Sequence, residues 1–164
     1  MYKIGDYIIY KKDVCIINEI KDNYYNGISY YKISPITDNS LTINIPVDNA
    51  CIKNILSKDE ANKIITEIPK VELLNIEEKN LESEYKELLN TDNLLDLVKI
   101  IKTTYIRNQN RINNGKKIGD KDNEYFNKAE SYLYNILSIS LNIPYEECKK
   151  MITNKCNEVD LWLM

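Results

Sequence analysis

The chain has 164 residues, 43% of them hydrophobic, and a formal net charge of −3; that length holds one domain or two small ones, and a charge so close to zero names no partner. There is no histidine, which excludes His-based triads, His metal ligands and the usual general base near neutral pH. The four cysteines, Cys15, Cys51, Cys148 and Cys156, form no C-x-x-C pair, so no metal or other cofactor is expected; buried thiols in a reducing cytoplasm are the reading, with Cys15 and Cys51 among apolar strand residues.

Residues 1–56 carry short β-branched and aromatic runs separated by turn residues. Gly5-Asp6 forms the entry to a first strand, Tyr7-Ile8-Ile9-Tyr10. Strands at about Cys15–Asp22 and Ser29–Ile36 flank Asn26-Gly27, a hairpin signal because both residues tolerate positive φ. Pro35 ends the second of these or places it at an edge. Leu41–Ile45 is a fourth strand closed by Pro46, and Ala50–Lys53 a short fifth. Five short strands with tight turns predict a small SH3- or Tudor-like β-barrel, near the lower size limit for a self-sufficient core.

After Leu56 the apolar spacing changes to three and four, the period of a helix. Ser57-Lys58-Asp59-Glu60 is a capping box opening a helix that runs to about Glu67 and stops before Pro69. A connector spans 68–78. A second helix covers Glu78–Leu89, with Leu81, Tyr85, Leu88 and Leu89 on one face. Thr91 or Asp92 caps a third, with the stripe Leu94, Leu97, Val98, Ile101 and Tyr105. Asn113-Asn114-Gly115 closes that segment. Asp120 caps a fourth helix that buries Phe126, Ala129, Leu133, Ile136, Leu137 and Leu141, and Pro144 opens a fifth carrying Cys148, Met151 and Ile152. The expected architecture is therefore α+β: a strand domain over 1–56 and an all-helical domain over 57–164.

Charge is unevenly spread. Between Lys99 and Lys121 seven basic residues face Asp120 alone, which leaves +6 there and −9 in the remainder. Such contrast marks a face suited to a polyanion. Lys102, Arg107 and Arg111 recur at spacings of five and four, and Lys116, Lys117 and Lys121 follow in what reads as a loop; together they are candidate phosphate contacts. The paired carboxylates Asp59-Glu60, Glu77-Glu78 and Glu146-Glu147 each sit near a helix start, where the helix dipole accounts for them, so no enzymatic activity is expected. No apolar stretch reaches the roughly 20 residues a bilayer requires, and no signal-peptide core follows Met1, so a soluble cytoplasmic protein is expected.

The order of these motifs resembles a known family. Lys3-x-Gly5-Asp6-x-Ile8-Ile9-Tyr10 and Ile45-Pro46-Val47-Asp48-Asn49-Ala50, followed by the capping box, are similar to the opening of CarD/CdnL-type bacterial transcription regulators. Glu84-Tyr85-Lys86, the Asp92–Ile101 helix and Lys128-Ala129 fall where that family has its Arg-Tyr-Lys segment, its long amphipathic helix and its Lys-Ala pair. The resemblance covers about residues 1–145. It implies a non-enzymatic protein whose Tudor-like domain binds the β subunit of RNA polymerase, partly strand edge to strand edge. It also implies a helical domain that contacts promoter DNA and stabilises the open complex, and hence association with the nucleoid through polymerase. Two polymerase-contacting positions, often arginine in the family, fall near Asn23 and Asn44, beside Tyr24 and Tyr25. The family's apolar wedge, typically tryptophan, falls at Leu81, followed by Ser83 and Glu84 where basic residues are usual. The only tryptophan, Trp162, lies far from that position, and Lys12-Asp13 replaces the family's His-Gly.

On this reading Leu81 enters an unstacked base step or packs in the helix core, Tyr85 stacks or is core, and Lys86 faces the same strand. Tyr24, Tyr25, Tyr30 and Tyr31 divide between the barrel core and an exposed protein interface. Two alternatives stay open: a polymerase-binding module whose DNA activity is weak or lost, and a scaffold unrelated to transcription whose barrel binds another strand edge.

Overall fold

The computed structural model describes residues 1–160 of the chain, so Trp162 lies outside the described residues. It contains two compact units, dividing between Leu56 and Ser57. The first is a five-stranded antiparallel sheet of β1 (Tyr7–Tyr10), β2 (Asp13–Tyr25), β3 (Ile28–Pro35), β4 (Ile43–Pro46) and β5 (Ile52–Asn54), in the order β4-β3-β2-β1-β5. The fold is thus α+β, with an antiparallel strand unit followed by helices.

Alternation selects the core of this sheet. Ile8, Cys15, Ile17, Tyr31, Ile33 and Ile45 point to one face and are buried, with Tyr2, Ile20, Ile43 and Val47 packed around them. Asn26 and Gly27 form the two-residue β2–β3 turn with φ of 51° and 75°, the pair of positive values that the strand twist demands. The β1–β2 turn does the same with Lys11 and Lys12, at φ of 49° and 77°. Lysine gains nothing from a left-handed backbone, so the Tyr10–Asp13 pairing imposes this turn rather than the turn residues themselves. Pro35 ends β3 and is opposite Cys15; it lies past the last β3–β4 pair, Ile33 with Ile43. It is tolerated in an interior strand because its missing N–H faces no partner there.

The second unit contains α1 (Lys58–Glu67), a 3₁₀ turn at Ile68–Lys70, α2 (Glu78–Leu89), α3 (Leu94–Asn113), α4 (Asp120–Leu141) and α5 (Tyr145–Asp160). Ser57 Oγ accepts the Glu60 N–H at 3.1 Å, so the capping serine acts as expected. α1 ends at Glu67, before Pro69, as expected; Pro69 itself sits in the first turn of the short 3₁₀ segment that follows, where its missing N–H costs nothing. Asn93, not Thr91 or Asp92, caps α3, its Oδ1 accepting the Leu95 N–H at 3.0 Å. Thr91 instead donates its hydroxyl to Asp96 at 2.6 Å. Gly119 is the residue preceding α4, which begins at Asp120.

The long helices α3 and α4 pack together. α3 is buried almost all round between Leu97 and Thr104, because α1, α2 and α4 all touch it. Its expected stripe holds at Leu97, Val98 and Ile101, but Tyr105 lies outside it and is exposed. In the first turns of α4 the buried aromatic is Tyr125 rather than Phe126, one position round the helix; Tyr134 is buried further along, and Leu141 is only half-buried. α4 ends at Asn142 in a left-handed conformation, with the Ile143 N–H returning to Ser138 O at 3.0 Å. Cys148 and Ile152 anchor α5.

Candidate functional site

Two surfaces carry the candidate residues, one in each unit. In the strand unit, the β2–β3 hairpin is irregular near its tip. Asn18 is an extra residue between the Ile17 and Glu19 pairs, and a wider irregularity separates Lys21 from Tyr25. Asn23 lies inside the second, at φ 49°, and its N–H reaches Ser29 Oγ at 3.4 Å. A bulge re-aims the side chains that follow it. Here Tyr24 meets Tyr30 edge to face at a centroid distance of 5.3 Å, and Lys21 lies over the Tyr24 ring at 4.5 Å. Tyr25 is 62% exposed at the tip. Tyr31, by contrast, is core, which settles how the four tyrosines divide. Asn44 is exposed on β4, an outermost strand of the sheet, opposite Lys32.

In the helical unit the structure separates the expected DNA-contacting residues into three groups. The first is internal. Leu81 is 6% exposed and Tyr85 1%, so both are packed inside the unit, and neither presents a wedge or a stacking face. Tyr85 donates its hydroxyl to Asp122 at 2.9 Å and packs against the Tyr125 ring at 5.3 Å. Burial, then the bond to Asp122, pushes its phenol well above the usual range. Lys102 is also buried. Its ammonium donates to the Ile68 carbonyl and to Val71 O at 3.0 Å, and so closes the carbonyl end of the 3₁₀ turn. Its long stem reaches those carbonyls from inside α3, which is why spacing alone groups it wrongly with the surface bases.

The second group is exposed or half-buried but held by carboxylates. Arg107 Nε lies 3.0 Å from Asp122 Oδ2, and its Nη2 lies 3.1 Å from Glu78 Oε1. Burial works against the Arg107 cation, but Asp122 and Glu78 outweigh it and raise its pKa. Arg111 Nη2 approaches the same Glu78 oxygen at 3.5 Å. Lys121 is in α4, not in a loop; it bridges Glu82 at 3.2 Å and Glu124 at 3.6 Å. Lys86 also reaches Glu82, at 3.6 Å. Hydrogen bonding to Lys121 holds the Glu82 carboxyl below its ordinary range, and hydrogen bonding to Lys128 does the same for Glu124. Exposed pairs of this kind contribute little to stability.

The third group is Lys116 and Lys117, exposed in the α3–α4 loop. That loop is pinned by the Gly119 N–H to Asn108 Oδ1 at 3.1 Å and the Lys116 N–H to Arg111 O at 2.8 Å. Gly119 is tight: a Cβ there would stand 3.3 Å from Asp122 and 3.4 Å from the Arg111 guanidinium.

Sequence reasoning missed Asp122, the hub of this surface. It reads as one more acidic residue in a first helical turn, and only the crossing of α2, α3 and α4 buries it between Tyr85 and Arg107. The thiols follow expectation in part. Cys15 and Cys148 are buried, and burial pushes both up to about 11. Cys51 is exposed because β5 begins only at Ile52. Among the described residues no cluster of cysteines and carboxylates is arranged to hold a metal ion, and no helix is long and apolar enough to cross a membrane. No family model matches the chain, and no curated protein matches it.

Proposed function

We propose that this chain is a non-catalytic, cytoplasmic regulator of transcription. Its strand unit, read as a small SH3/Tudor-like barrel, binds the RNA polymerase β subunit. Its helical unit meets promoter DNA through backbone contacts and modulates open-complex stability at the nucleoid. The observation that carries this reading is the outer edge of β4. It ends the sheet, it bears the exposed Asn44 at a position that the CarD-type resemblance assigns to polymerase, and its neighbour β3 continues into the Tyr24–Tyr30 hairpin. An open strand edge offers backbone donors and acceptors to a partner strand, so binding of this type survives the loss of the family's arginines.

The test is binding of the full chain to an isolated β-subunit fragment. Wild type binds, and Asn44→Glu binds more weakly; equal binding by the two proteins overturns the assignment of this edge. Recovery from lysate without any polymerase subunit favours the scaffold reading instead.

For the helical unit a specific observation favours weak intrinsic DNA activity. Leu81 and Tyr85 are inside, Lys102 is spent on carbonyls, and Arg107, Arg111 and Lys121 face carboxylates. The DNA contacts then rest on Lys116 and Lys117, with Lys86, Arg111 and Lys121 as reserve, and tethering to polymerase supplies the local concentration that such contacts need.

A further inference from the structure

The carboxylates around the basic face differ in kind. The Asp122 side chain is 6% exposed and is integral to the packing of three helices, whereas the Glu78 side chain is 73% exposed and holds its two arginines from the solvent side. Glu82, one turn further along α2, holds Lys121 and Lys86 in the same way. One exposed helix face therefore places an oxygen against each of four cations, much as backbone phosphates would. Glu78 and Glu82 are replaceable by such phosphates at little cost in stability, because the ion pairs they would give up are solvent-exposed. Lys116 and Lys117 follow Arg111 along the chain, exposed in a loop fixed to α3 through Arg111 O and Asn108.

We propose that Glu78 and Glu82 form an intramolecular mask over a nucleic-acid backbone site made by Arg111, Lys121, Lys86, Lys116 and Lys117. The mask keeps the untethered chain from binding DNA indiscriminately. Phosphates displace it once another interaction brings duplex DNA close. Arg107 stays with Asp122 throughout and orients the face rather than leaving it. The inference rests on the reading that the helical unit meets DNA, but it concerns how that site is regulated.

The test measures anisotropy of a labelled 20-base-pair duplex with the full chain across a salt series. Glu78→Gln/Glu82→Gln releases Arg111, Lys86 and Lys121 as up to three further phosphate contacts, with Lys121 still near Glu124 at 3.6 Å. It should tighten binding at least on the order of tenfold at 0.1 M salt, and steepen the log–log salt slope by up to roughly 2.7, at about 0.9 per contact. A charge-matched control on the same unit, Asp59→Asn/Glu147→Gln, gains less than about twofold if position rather than net charge matters. Equal gains in the two doubles, or an unchanged slope, overturn the mask. Since Glu78 opens α2, Glu82→Gln alone is measured as well; through Lys86 and Lys121 it should deliver up to about two-thirds of the slope change without touching the helix start, and a lack of any change there is equally fatal. Vesicles containing anionic phospholipid provide the remaining arm: a larger gain for vesicles than for the duplex overturns the assignment to nucleic acid. The β-subunit assay is independent of all of these, so a chain that binds polymerase but shows no unmasking loses only the mask.

Discussion

Removing the Asp122 carboxylate tests the helical unit at its most connected point. Asp122 accepts the Tyr85 hydroxyl at 2.9 Å and the Arg107 Nε at 3.0 Å, and so joins α2, α3 and α4 through one side chain. In Asp122→Ala the Tyr85 hydroxyl loses its partner at a site that is 1% exposed. Leaving a buried hydroxyl unsatisfied costs about 1–3 kcal/mol. Arg107 loses its better-buried partner but keeps Glu78 and some solvent. That places its share well below the 3–5 kcal/mol of a fully buried broken pair, at about 1 kcal/mol. The expected total is about 3 kcal/mol. Urea unfolding followed by helical circular dichroism reads it as a lower midpoint at unchanged slope. Asp122→Asn keeps an acceptor for Tyr85 and loses the charge, so it should fall between wild type and the alanine variant. Asp122→Ala combined with Tyr85→Phe should cost less than the two single changes summed, by about 1 kcal/mol, because the hydroxyl has only one partner to lose. A loss below about 0.5 kcal/mol in Asp122→Ala would refute the view that this carboxylate ties the three helices together.

Leu81→Trp should destabilise the helical unit by about 1–3 kcal/mol through overpacking. A variant that melts like wild type and lengthens open-complex lifetime would instead put Leu81 at the DNA fork. Tyr85, whose folded pKa is raised, contributes stability that is complete below the unfolded value near 10 and is lost as pH rises, because the unfolded chain then releases a proton that the folded chain keeps. Stability should fall above pH 10, with Tyr85→Phe removing up to about 1.4 kcal/mol per pH unit of that slope, read from urea midpoints at a series of alkaline pH values. Iodoacetamide at pH 8 should modify Cys51 within the time that leaves Cys15 and Cys148 untouched, as mapped by mass spectrometry; the latter two are buried, with thiols pushed up to about 11. Rapid labelling of Cys15 would contradict its place in the sheet core.

Local chemistry was sufficient for much of this protein. The strand-to-helix switch at residue 57, the Asn26-Gly27 hairpin, the Ser57 cap and the existence of each helix follow from side-chain period and from single-residue backbone preferences, both of which act over a few residues. Elements whose ends depend on neighbours were less legible. Strand β2 runs on to Tyr25 because β3 pairs with it, and the Lys11-Lys12 turn takes a conformation that neither residue favours because the flanking pairs require it. The basic segment shows the limit most clearly. From the sequence, Lys102, Arg107 and Arg111 are equivalent cations at helical spacing, and Lys121 follows them in what reads as a loop. In the folded chain one closes a 3₁₀ turn from within, one is locked to a buried carboxylate, and two are covered by exposed glutamates. Charge and spacing are properties of one segment, whereas burial and pairing depend on what another segment places opposite, and only the packing of α2 and α4 against α3 decides that.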